Sequence, residues 1–282
     1  MNKNLRIHLL IIDPQNDFCD IAGATLPVAG ANEDMKRLTA MIDRVGHEVE
    51  GIHVSLDSHR LINIVHPITN IAHPAWWQDE KGNPPSPFTL IFAKDIRAGV
   101  WTTRNPEFLK RSLAYVEALE ATGKKPLCIW PPHCLIGTWG HNIHSDLNGA
   151  LQRWSASEFA MVDYLMKGSN PWTEHYGAMM AEVPDPEDSN TALNMQFITM
   201  LRDADIIGVA GEAGSHCVLE TVNQIADNIG DEHLKKFHII TDGISPVGAV
   251  PNGPDFPAIY KDWLQAMSKR GMILTTSTDF LS

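Results

Sequence analysis

A cysteine, an aspartate and a lysine each stand where one regular element gives way to the next, and together they could run nucleophilic chemistry. Cys217 lies in "AGEAGSHCVLETVNQIAD" (210–227), where small residues leave an apolar strand and enter a helix. A thiol in the first turn of a helix meets free N–H groups and the positive end of the dipole, both of which favour the thiolate. The neighbouring Gly211, Ala213, Gly214 and Ser215 leave room for backbone N–H groups to face a ligand. A buried cysteine packing as a small hydrophobe is an equal reading of the local features. Asp13 ends an apolar strand before Pro14. It could take the proton of a thiol, or bond to its own loop backbone as aspartates at loop starts do. Lys167, before Gly168, could hold the charge of such a pair or be a surface lysine.

A second constellation suits a metal. In "LDSH" (56–59) the residues two apart in an extended segment point the same way, so Asp57 and His59 share a side. A carboxylate and an imidazole can begin a divalent-cation site, but a third ligand is needed. His66, His73, His133, His141 and His144 are all candidates on sequence alone, in a chain with 13 histidines.

The elements that must position these groups alternate in type. Apolar runs at 6–13, 50–57, 126–131, 158–167, 205–211, 236–244 and 271–277 read as strands. Amphipathic stretches at 31–46, 106–122, 144–157, 189–204, 217–227 and 255–270 read as helices. Continuous apolar strands alternating with helices predict an α/β fold, a parallel sheet flanked by helices on both faces. Ligands of such sheets bind at the carboxyl ends of the strands. On this pattern those ends carry Asp13, Asp57 with His59, His133 from "WPPHC", Lys167 and the approach to Cys217. Residues 58–104, with prolines at 67, 74, 84, 85 and 87, read as a long loop or insertion. With no internal repeat or linker, 1–282 reads as one domain carrying a loop-rich insertion at about 60–104.

Composition narrows the partners. A net charge of −12 argues against nucleic acid or an anionic membrane, which need basic patches. The opening "MNKNLRIHLLIID" is too short in apolar length to span a bilayer and lacks a signal-peptide cleavage pattern. Cys19, Cys128, Cys134 and Cys217 show no paired spacing and read as reduced thiols. The expectation is a soluble cytoplasmic protein acting on a small molecule, with assembly into a homo-oligomer left open.

Taken together, the motifs resemble the nicotinamidases, within the isochorismatase-like cysteine hydrolases. "LLIIDPQNDFCD" is similar to that family's opening strand, "IWPPHCLIGTWGHNIH" to its W-P-x-H-C segment, "MKGSNPWTEHYGAM" to its lysine segment and "GEAGSHCV" to its G-x-A-x-x-x-C-V nucleophile segment. The likeness runs from residue 5 to about 245.

It implies a triad of Asp13, Lys167 and Cys217 that hydrolyses a small amide, nicotinamide, to nicotinate and ammonia through a cysteine thioester, in pyridine nucleotide salvage and NAD metabolism. It implies an oxyanion site at the N–H groups of Ala213 and Cys217, with a cis peptide before Ala213. Phe18 and Trp130, with Tyr176, would pack the substrate ring. Asp57, His59 and His133 would hold one divalent ion, zinc in the first place, with manganese or iron as alternatives.

Two features depart from the family. The loop "RLINIVHPITNIAHPAWW" is longer than usual, with His66 the nearest equivalent of the family's extra histidine and His73 next, and the insertion at 74–104 exceeds the compact form. The rival readings are a related cysteine amidase with another small amide, and a non-enzymatic metal-binding or redox-sensing protein, which would need neither Asp13 nor Lys167.

Overall fold

The computed structural model describes residues 5–67, 75–250 and 253–282. In chain order the elements are β1 (Ile7–Ile12), α1 (Ala31–Val45), β2 (Gly51–Asp57), β3 (Trp77–Gln78), β4 (Leu90–Ile91), α2 (Ala93–Arg97), β5 (Thr102–Thr103), α3 (Leu109–Ala121), β6 (Leu127–Cys128), α4 (Ser145–Glu158), β7 (Asp163–Lys167), α5 (Met195–Asp203), β8 (Ile206–Gly211), α6 (Cys217–Ile229), β9 (Phe237–Ile240), α7 (Phe256–Lys269) and β10 (Ile273–Thr275). Six strands form one parallel sheet in the order β10-β9-β8-β1-β2-β7. The central strand β1, "IHLLII", buries nearly every side chain, as a strand covered on both faces must. Helices α1 and α4 pack on one another, as do α5 and α6, and the two groups flank the sheet. A ring N–H from Trp263 of α7 to Asn223 of α6 (2.9 Å) joins the last helix to the second group.

The α/β reading holds, with three kinds of difference from the sequence expectation. First, the run 126–131 is not a strand of the main sheet. Only Leu127–Cys128 pairs, and it does so antiparallel with Leu90–Ile91. Pro126, Pro131 and Pro132 lack the N–H that a central ladder requires, so β7 takes the place beside β2. His133 therefore sits on a loop rather than at the end of a sheet strand.

Second, the insertion is not structureless. It contributes Ile64, Val65, Trp76, Trp77, Ile91 and Ile96 to a second apolar cluster, completed by Tyr115, Val116 and Leu119 of α3 with Leu127 and Ile129. Trp77, fully buried, donates its ring N–H to the Ile64 carbonyl (2.9 Å). The proline pattern concealed this because the apolar residues are spread between turns rather than gathered in one periodic run.

Third, the helix expected over 189–204 forms only as Met195–Asp203, where the Asn194 side chain caps the Phe197 N–H (3.0 Å). The strand expected over 158–167 is likewise shortened, because α4 runs to Glu158, and those expected over 236–244 and 271–277 form only as Phe237–Ile240 and Ile273–Thr275.

One glycine is required by close approach. Gly211 ends β8 at φ +115°, and a Cβ there would lie 2.0 Å from the Ile12 carbonyl oxygen on the adjacent β1. Neither backbone can yield without breaking the central pairing. Gly211→Ala should destabilise the fold by more than the ~1–3 kcal/mol of ordinary overpacking, read as a lower urea midpoint. A midpoint equal to wild type would show that the strands separate freely at this point.

Candidate active site

The parallel register sets the first contacts. Asp57 and Lys167 are direct partners across β2 and β7, and Asp13 follows the last residue of β1 next door. Lys167 is 2 % exposed, which excludes a surface lysine. Its Nζ lies 2.9 Å from Asp13 Oδ2 and 3.1 Å from Asp57 Oδ1, and donates to the His175 carbonyl at 2.8 Å. The Cys217 Sγ is 3.7 Å from the same Nζ. Burial by itself would pull the Lys167 ammonium down, but Asp13, Asp57 and Cys217 outweigh it and hold the group well above its usual value. Burial pushes the Asp13 carboxyl up, against the pull of Lys167. This makes Asp13 a stronger proton acceptor than a solvated aspartate. Its Oδ1 accepts from Ser55 Oγ at 2.6 Å, which fixes the carboxylate plane.

Cys217 is the first residue of α6 and is 7 % exposed. The expectation of a thiol lowered by the helix terminus does not hold for the resting protein. Burial drives the thiol well above its usual value, with Lys167 pulling against it and Asp13 and Asp57 adding to the rise. Loss of hydration thus exceeds the help of the helix end. The thiol therefore holds its proton more tightly than a solvated cysteine, and Asp13, on the same Lys167 ammonium, is the neighbouring base. The peptide Glu212–Ala213 is cis. Among the described residues neither the Ala213 nor the Cys217 N–H donates to a protein acceptor, so both are free to meet a ligand oxygen.

The second constellation lies beside the first. Asp57 Oδ2 is 2.9 Å from His59 Nε2 and 3.2 Å from His133 Nε2. His66, fully buried, joins them: ligand atoms of His59, His66 and His133 all lie within 4.8 Å of one another. Both ring nitrogens of His66 lack a protein partner, a costly state for buried imidazole unless something else is bound there. His133 is oriented by a 2.8 Å contact from Nδ1 to the Pro131 carbonyl, which leaves Nε2 with a lone pair. Three imidazoles and a carboxylate suit a borderline divalent cation, so the donor set fits one. Of the two additional histidines considered from sequence, His66 is in the cluster and His73 lies outside the described residues. His141 instead meets Ser58 Oγ (2.9 Å) and His144 meets Asn32 (3.0 Å), so neither joins the cluster.

A cavity of about 170 Å³ opens over Cys217 and Lys167. Phe18, Trp130 and Tyr176 line it, with Asp57, His133 and Ala213. The Phe18 ring lies 5.5 Å from that of His133, and Trp130 stands edge-on to Tyr176 at 6.3 Å. A cavity on the order of 150 Å³ accepts one six-membered ring.

Several residues of this site were missed in the sequence. The Gln15 side chain donates to the Asp57 carbonyl (2.8 Å) and accepts from its N–H (2.7 Å). Asp17 accepts from the Cys134 N–H (2.7 Å) and so holds the loop bearing His133. Phe88, from the insertion, and Glu174 also line the cavity. "DPQNDF" held the signal for Gln15 and Asp17, as polar residues packed tightly after a buried strand, whereas Phe88 had none.

No known protein-family profile and no curated protein matches this sequence. Solved structures do. A nicotinamidase/pyrazinamidase of Acinetobacter baumanii superposes with a TM-score of 0.58 at 20% identity, covering 98% of both chains. The yeast nicotinamidase bound to the inhibitor nicotinaldehyde gives 0.60 at 15%, covering 96% of this chain and 99% of that one. The pyrazinamidase of Pyrococcus horikoshii in complex with zinc gives 0.51 at 16%, covering 96% and 99%.

The Lys167 contact generates a direct test. Lys167→Met keeps the bulk and removes the charge that opposes the rise in the Cys217 thiol. At any pH below the thiol's value, iodoacetamide should label Cys217 more slowly in the variant, about tenfold for each unit of further shift, as followed by mass spectrometry of the Cys217 peptide. Superimposable rate–pH profiles would remove Lys167 from the thiol's electrostatics. Across nearly its whole length, the chain has the isochorismatase-like fold of these nicotinamidases and pyrazinamidases.

Proposed function

We propose that this protein is an amidohydrolase that converts nicotinamide to nicotinate and ammonia through a thioester on Cys217. The observation that carries the reading is the buried Lys167 ammonium in contact with Asp13, Asp57 and the Cys217 sulfur. A lysine buried against a thiol and a raised carboxyl is a proton-transfer device rather than a packing solution.

In the proposed reaction Asp13 takes the thiol proton as Sγ attacks the amide carbon. Lys167 stays charged and balances the negative charge that passes between Asp13 and Cys217. The oxyanion faces the free N–H groups of Ala213 and Cys217. Asp13 returns the proton to the nitrogen, the C–N bond breaks and ammonia leaves. Asp13 then removes a proton from water, whose oxygen attacks the thioester carbon. The C–S bond breaks, Asp13 returns its proton to the sulfur, and the acid gives its remaining proton to solvent as it leaves as the carboxylate. Phe18, Trp130 and Tyr176 would hold the ring so that its amide reaches Sγ.

Asp57, His59, His66 and His133 would hold one divalent ion, zinc by the preference of such a donor set and with manganese or iron as alternatives. Bound there, the ion supplies a Lewis-acid contact for a heteroaromatic nitrogen. The zinc named with the Pyrococcus pyrazinamidase supports this choice, and the substrates named with the neighbours support nicotinamide or a close ring analogue. A role in NAD metabolism and pyridine nucleotide salvage follows from that substrate. Among the described residues no helix is long and apolar enough to cross a membrane.

Purified protein should release ammonia from nicotinamide, and Cys217→Ala should abolish release while keeping the wild-type circular dichroism spectrum. Full activity in that variant would overturn the thioester route. Activity on other amides with none on nicotinamide would favour the related-amidase reading, for which the insertion's Phe88 at the cavity is the supporting observation.

Protein prepared without chelator should carry close to one equivalent of a divalent metal by elemental analysis. The combined Asp57→Asn, His59→Ala, His133→Ala variant should lose it. Retention of a full equivalent would place the metal elsewhere.

A further inference from the structure

Glu174 is a carboxylate inside the cavity that the proposed reaction does not use. It is 5 % exposed and lines the same space as Cys217 and Lys167. Both of its oxygens accept from neutral donors. Oε1 takes the His175 N–H at 2.9 Å and Oε2 takes the Trp130 ring N–H at 3.1 Å, the latter also facing the Tyr176 hydroxyl at 3.2 Å. Among the described residues no lysine, arginine or histidine forms an ion pair with it, whereas Asp13 and Asp57 share Lys167. A buried carboxylate without a cation is held against its loss of hydration, and here it is held against the ligand space.

The chemistry of hydrolysis supplies the reason. The positive groups around the cavity (Lys167, the free N–H groups of Ala213 and Cys217, and a cation at the histidine cluster) attract the carboxylate product. Left alone, they would retain the product more tightly than the neutral amide. We infer that Glu174 sets the charge selectivity of the cavity, admitting neutral amides and expelling the anionic product. In a cavity that one ring fills, any ligand lies within about a ring's length of every lining group. A unit charge on the ligand is therefore repelled by Glu174, while an uncharged amide is not. This rests on the amidase reading for its purpose, but not for its electrostatics.

The test is binding rather than turnover. Nicotinate and 3-acetylpyridine, a neutral ketone of the same ring that is not hydrolysed, are titrated against tryptophan fluorescence in the metal-loaded protein. In Glu174→Gln, nicotinate should tighten by about tenfold or more relative to 3-acetylpyridine, ~1.4 kcal/mol. Glu174→Asp, which keeps the charge, should stay near the wild-type ratio. Glu174→Met serves as a second neutral variant should the Gln amide clash with one of the two N–H donors, and thermal unfolding checks that each is folded. If Glu174 served only to pin the Trp130 ring, both ligands would weaken alike and the ratio would not move.

An unchanged ratio in both neutral variants overturns the inference, as does a shift in Glu174→Asp equal to theirs. Failure to release ammonia overturns the proposed reaction while the binding ratio still decides the role of Glu174. If neither ligand binds the wild-type protein, both fall.

Discussion

The site depends on one buried cation. An ammonium as deeply buried as that of Lys167 loses several kcal/mol of hydration, and it is tolerated because two carboxylates and a carbonyl surround it. Those partners come from separate elements: Asp13 follows β1, Asp57 ends β2, Lys167 ends β7, and Cys217 opens α6. One charge therefore ties three adjacent strands to the helix that Cys217 opens. The same arrangement divides labour between the carboxylates. Asp57 is held well below the usual carboxylate range, where His59 and Lys167 outweigh burial, and stays an anion able to hold a metal. Asp13, pushed up by its burial, is suited to take and return a proton. Two aspartates at neighbouring strand ends thus acquire opposite tendencies from their surroundings.

Around this centre the chain sets two kinds of wall. The rigid wall is the end of the parallel sheet, where register allows little freedom; the close approach of Gly211 to Ile12 is one sign of it. The other wall is made of loops fastened by side chains. Asp17 fastens the loop of His133, Gln15 clamps Asp57, and the Trp130 ring is held by Glu174 and Tyr176. Sites built from strand ends keep their chemistry under sequence drift, while loops vary the ligand. The low identity to the solved nicotinamidases, together with near-complete coverage, shows the same fold carried by a different sequence.

The second apolar cluster shows how the insertion shapes the cavity. Its tryptophans pack on α3 rather than on the sheet, so the insertion has a support of its own beside the central core. From that support Phe88 reaches the cavity, 59 % exposed, edge-on to Trp130 at 5.9 Å. One wall of the cavity is therefore carried by the part of the chain that the sequence marked as an insertion.

Much of this was decided locally. The alternation of apolar strands and amphipathic helices determined a covered parallel sheet, because a strand apolar at every position can only be buried on both faces. The same alternation placed Asp13, Asp57 and Lys167 at strand ends, and the two-residue period set Asp57 and His59 on one side. What the sequence could not decide was which of those ends become neighbours. The register of β2 against β7 makes Asp57 and Lys167 partners, a pairing between residues 110 apart with no local signature. The resemblance put His66 first among the extra histidines, but only the folded insertion brought its ring nitrogens to those of His59 and His133. His133 reached the cluster from a proline-bounded loop, where the sequence had placed it just beyond the end of a sheet strand over 126–131. The sign of the thiol's shift also belonged to the tertiary structure. A helix terminus is visible in sequence, but the loss of hydration that outweighs it depends on everything packed around Cys217.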